Sequence, residues 1–112
     1  MKEQMQELAY LVRCFNAVGR ALQYTHGSPR MTPAQVAQMR RWRAVRRALA
    51  LDINQALQAL PKGVQLVYGV SDEQDAAVGA WERDALDTFI GNGKATPRGM
   101  EWRVVQHHEQ EG

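Results

Sequence analysis

The densest group of chemically capable side chains is Arg40, Arg41, Arg43, Arg46 and Arg47. From Arg30 to Arg47 there are six basic residues and no acid. Guanidinium groups pair bidentately with phosphate or carboxylate, so such a run fits nucleic acid or an acidic protein surface. On a helix, Arg40, Arg43 and Arg47 align on one face, opposite an apolar stripe, with Arg41 and Arg46 at its flanks. Two plainer roles are open: a solvated face with arginine stems packed beside Trp42, or pairing with Asp72, Glu73, Asp75, Glu82, Asp84 and Asp87. A helix-turn-helix reader needs a short recognition helix after a tight turn. Here the basic helix is long, the loop before it is irregular, and only Gln35 and Gln38 stand near as base-reading amides.

The other candidates each lack a second partner. Gly91-Asn92-Gly93-Lys94-Ala95-Thr96 has the residue types of a phosphate loop but the wrong glycine spacing. It also leads from a helix toward a strand, the reverse of what places phosphate on a helix N-terminus. His107 and His108 are adjacent, so on a strand they point to opposite faces and cannot share one ion. His26 is remote from both. Cys14 is the only cysteine; it cannot form an internal disulfide and has no neighbouring base to activate it. No Ser/His/Asp set and no carboxylate pair stands out. The sequence therefore predicts no catalytic residues, no cofactor and no metal.

What remains besides the arginines is a stripe on the first helix. Tyr10, Cys14, Ala17, Ala21 and Tyr24 recur at steps of four and three, on the side opposite Met5, Leu8, Val12, Phe15, Gly19 and Leu22. Small residues let another helix approach closely, and tyrosines are favoured interface anchors. Either this helix is central in its own domain, covered by a second and a third helix, or the Tyr10–Tyr24 stripe is a protein interface.

These residues must be held by an α+β, predominantly helical fold. Helices are expected over about 2–24 and 33–60, paired as an antiparallel hairpin. Thr32-Pro33-Ala34-Gln35 is a strong start for the second, with a capping threonine, proline at the first helical position and a capping-box glutamine. Its apolar stripe is Met39, Trp42, Val45, Leu49, Ile53, Ala56, Leu57 and Leu60, and Pro61 and Gly63 stop it. Strands are expected over 64–70 and 100–107 from their alternation. Between them, Ser71-Asp72-Glu73-Gln74 reads as a second capping box, opening a third helix over 72–90 with Val78, Trp81, Ala85 and Phe89 inward. Two strands joined through a helix would lie parallel if adjacent. Two strands make a poor sheet, so a second chain could complete it.

The 112 residues fit one domain over 1–112, with a polar, frayed end over 108–112. Hydrophobic content of 45% and a net charge of +2 describe an ordinary folded chain, not a disordered tail. The polar start, the single thiol and the lack of any long apolar run predict a cytoplasmic protein with no membrane anchor. Eleven of the fourteen lysines and arginines are arginine, a bias associated with GC-rich bacterial or phage genomes. The expected function is a small non-enzymatic regulator that binds another protein: an inhibitor, anti-activator or adaptor. A homodimer and an acidic-surfaced partner are the expected associations. Transcriptional regulation through nucleic acid bound by the arginine helix is the alternative.

Overall fold

The computed structural model describes residues 2–25, 30–70, 77–81 and 100–106. Two helices, α1 (Lys2–Thr25) and α2 (Pro33–Gln58), are followed by three strands, β1 (Val64–Val70), β2 (Ala77–Ala80) and β3 (Met100–Gln106). The start of α2 is built as its sequence predicts. Thr32 Oγ1 accepts from the Gln35 N–H at 3.2 Å, and Gln35 Oε1 accepts from the Thr32 N–H at 2.9 Å, so two otherwise orphaned donors are satisfied. The helix ends at Gln58, two residues before the expected limit. There the Leu60 N–H turns to the Leu57 carbonyl and Pro61 follows.

The hairpin runs antiparallel. The Arg46 guanidinium lies over the Phe15 ring, 6.0 Å from its centroid, while Leu8 near the start of α1 shares the core with Ile53 and Leu57 near the end of α2. The strands form one sheet in the order β2-β1-β3, with both neighbouring pairs antiparallel.

This corrects two expectations. Residues 77–80, placed by their spacing in a third helix over 72–90, form β2; the rest of that helix and its capping box lie outside the described residues. Gly79 weakens any helix through it by about 1 kcal/mol. As a strand residue it is paired with Tyr68, whose ring lies so close that a Cβ at position 79 would meet Cζ at 2.7 Å. Pairing also satisfies the β1 edge, which then carries the Trp81 N–H on the Leu66 carbonyl at 2.7 Å. The second correction is direction: β1 and β3 are adjacent but antiparallel, and β2 supplies the third strand within the chain.

Alternation along the strands holds. Val64, Leu66, Tyr68, Trp102 and Val104 lie on the face turned to the hairpin, with register pairs Tyr68–Trp102 and Leu66–Val104. There they meet Leu8, Val12 and Phe15 of α1 and Ala50, Ile53 and Leu57 of α2. Four rings join the layers. Phe15 and Trp81 are 5.6 Å apart, Trp81 and Trp102 5.1 Å, and Tyr68 and Trp102 4.9 Å, the first two edge-to-face. Trp81 was expected to point inward and does so, from the end of a strand rather than from a helix.

On its edge away from β1, β3 is met by α1. The Asn16 side chain donates from Nδ2 to the Trp102 carbonyl at 2.8 Å and accepts at Oδ1 from the Trp102 N–H at 2.9 Å. One amide thus takes both backbone groups that a neighbouring strand would use at Trp102, and occupies a stretch of edge that could otherwise template pairing with another chain. One turn along α1, Arg20 forms an ion pair with Glu101.

Candidate binding faces

α1 turns Phe15 toward α2 and Asn16 and Arg20 toward β3. At 3.6 residues per turn its remaining side carries Glu3, Glu7, Tyr10, Cys14, Ala17 and Ala21. Neither α2 nor the sheet covers that side. Tyr10 is 61% exposed, Ala17 is exposed, and Cys14 and Ala21 are half-buried. Of the five residues in the expected interface stripe, four are therefore at the surface; the Tyr24 side chain lies outside the described residues. A fully covered central helix does not describe α1.

The matching side of α2 follows from its own contacts. Arg46 meets α1, and Leu57 lines a cleft with Leu66, Ala80 and Trp81 of the sheet. Rotating away from both brings up Arg41, Val45, Leu49 and Asp52. Val45, expected in the core stripe, is 46% exposed, whereas Ala50 is buried. The stripe fails there because α2 has a neighbour on its α1 and sheet sides only. The back of the hairpin, opposite the sheet, is thus a single surface. Tyr10, Cys14, Ala17 and Val45 form its apolar middle, with Leu49, which also packs against the core, beside them; Glu3, Glu7 and Asp52 lie at one end, and Arg41 at the other.

The arginine cluster is divided by the fold. Arg40, Arg43 and Arg47 form an exposed row along the side of α2 away from α1, and Arg41 is exposed on the back face. None of these four makes an ion pair among the described residues. The acids considered as intramolecular partners, Asp72 to Asp87, lie outside the described residues. Arg46, expected at the flank, folds over Phe15. Burial, and then repulsion by Arg43, hold its pKa below the ordinary arginine value. It stays cationic at any working pH, because the ordinary value is so high. Its role is packing and a cation–π contact.

No family model matches the chain, and neither curated proteins nor solved structures yield a match. The faces must therefore be read from their own chemistry. Among the described residues, no three His, Cys, Asp or Glu side chains gather where a metal could sit. No helix among them is long and apolar enough to cross a membrane. A cleft of about 300 Å³ between the end of α2 and the β1–β2 edge is lined by Leu57, Lys62, Gln65, Leu66, Ala80 and Trp81. Among the described residues its charged and amide side chains are Lys62 and Gln65, which offer no acid–base pair. Cys14 is a free, half-buried thiol on the back face.

Sequence periodicity located the α1 stripe but missed its continuation onto α2. Val45 and Leu49 both look like core positions; Leu49 does pack against the core, and only the hairpin geometry shows that Val45 stays outside. The exposed acids Glu3, Glu7 and Asp52 carried no separate signal, because each sits alone in its own stretch of sequence.

Proposed function

We propose that this chain is a small non-enzymatic intracellular regulator that acts by protein–protein binding, as an inhibitor, anti-activator or adaptor. The helical hairpin covers a partner's own interface with its back face, and the cationic row Arg40, Arg43 and Arg47 draws it toward an acidic surface. The observation that carries this reading is the exposure of Tyr10 at 61% and Val45 at 46% on one continuous face. Full burial of such a side chain is worth about 1.5–3 kcal/mol, and covering the exposed half that remains about half as much; tyrosine is among the residues that dominate binding energy.

The test is capture from a native lysate by the immobilised full chain, with Tyr10→Glu and Val45→Glu variants whose helix content is checked by circular dichroism. A partner held by the wild type and lost by both folded variants supports the proposal. Identical capture by all three would sink it.

A second reading, nucleic-acid binding, is favoured by one observation: Arg40, Arg41, Arg43 and Arg47 are exposed without an ion pair among the described residues. It requires retardation of duplex DNA at low salt, weakening steeply as salt rises, with a log–log slope near −0.9 per phosphate contacted. A flat gel-shift series at low salt rejects it.

A further inference from the structure

We propose that the hairpin's back face is filled by a second copy of this chain, docked antiparallel about a two-fold axis that crosses α1 near Cys14 and α2 near Arg47. The proposal rests on the reading of that face as an interface and names its occupant. A foreign partner then competes with the second copy for the same surface.

Charge selects both the occupant and its direction. One end of the face carries the exposed acids Glu3, Glu7 and Asp52; the other carries exposed Arg41. A two-fold axis along the helices would stack like ends, placing the acids of one copy against the acids of the other. An axis lying across the helices exchanges the ends and brings the acidic end of each copy to the basic end of its mate. Because a two-fold interface is self-complementary, every such pairing occurs twice.

Helix register then fixes what meets what. The contact between Phe15 and Arg46 sets the level of α1 against α2, so Cys14 lies level with Arg47. An axis at that level carries Tyr10 onto Ala17 of the second copy. The bulky, 61% exposed ring thus meets a small residue rather than another ring. On α2 the same operation carries Val45 toward Leu49 and Arg41 toward Asp52. Large-on-small, apolar-on-apolar and cation-on-anion matches all arise from the one axis. The result is an antiparallel four-helix bundle with the two sheets on its outer sides.

Sedimentation velocity over a concentration series tests this with Arg41→Asp, Asp52→Arg and the double variant; both positions are exposed, so folding is not at stake. The wild type should be dimeric. Each single reversal should weaken dimerisation about tenfold or more, since two cross-pairs turn repulsive at once. The double variant, which restores opposite charge in exchanged places, should return to within about threefold of wild type. A strictly monomeric wild type overturns the inference. A double variant no tighter than either single overturns the antiparallel geometry. A monomer would leave the proposed function standing on its own capture experiment, where Tyr10→Glu and Val45→Glu decide. As the only cysteine, Cys14 gives an independent reading. A short bis-maleimide should join two copies in dilute wild type but not in Tyr10→Glu, and a dimer that resists cross-linking places the axis elsewhere.

Discussion

Replacing Trp102 by alanine should remove about 3–5 kcal/mol of stability. Trp102 is 4% exposed and touches two other rings of the cluster, Tyr68 on its neighbouring strand and Trp81 beyond β1. Truncation leaves a cavity between sheet and hairpin that rigid neighbours such as Trp81 and Tyr68 cannot fill. A domain of this size has about 5–15 kcal/mol in total, so the variant should unfold early in a urea titration and lose its near-ultraviolet dichroism. Trp102→Phe keeps the ring contact with Tyr68 and should lose distinctly less. A loss below about 1 kcal/mol for alanine would show that the sheet does not depend on this cluster.

The second large effect is expected at Asn16. Its amide gives and receives one hydrogen bond at Trp102, so Asn16→Ala removes both at once, at a cost of about 1–3 kcal/mol. Asn16→Asp should be at least as damaging although it is nearly isosteric. A carboxylate can still accept from the Trp102 N–H, but it sets an anionic oxygen against the Trp102 carbonyl. Acidification, which lets the carboxyl donate, should recover part of that loss; the alanine variant should show no such recovery. Thermal unfolding of both variants at two pH values separates the cases, and equal, pH-independent losses would refute the paired amide.

These two residues mark how far the sequence could be read. Trp102 was legible: it alternates with Met100 and Val104, and alternation alone places it on an inward strand face. Asn16 was not, because its partner lies 86 positions away and its value is a backbone pairing that no periodicity announces. The hairpin and the α2 cap were legible for the same local reasons that make them form, helical spacing and a Thr-Pro-x-Gln start. The segment 77–80 misled because Val78 and Trp81, three apart, suit one helix face as well as the end of a strand. What decides between them is the edge of β1, supplied by a different part of the chain. For the candidate face, the α1 stripe was visible as small and aromatic residues in helical register. Its α2 half stayed hidden, since exposure of Val45 depends on where the sheet lies rather than on what neighbours it in sequence.

The bond between Asn16 and Trp102 also has a temporal meaning. It ties the first helix to the last strand across 86 positions, and β3 is the strand that β1 shares along its full length. During synthesis the hairpin emerges first, and the core around Leu8, Val12 and Phe15 is complete only when Trp102 of β3 joins it. Such long-range closure is slow compared with local helix pairing. Until it happens, part of the sheet-facing apolar side lacks its last layer. Association before β3 arrives would select the wrong side, so the order of events on the ribosome bears directly on which face meets a partner.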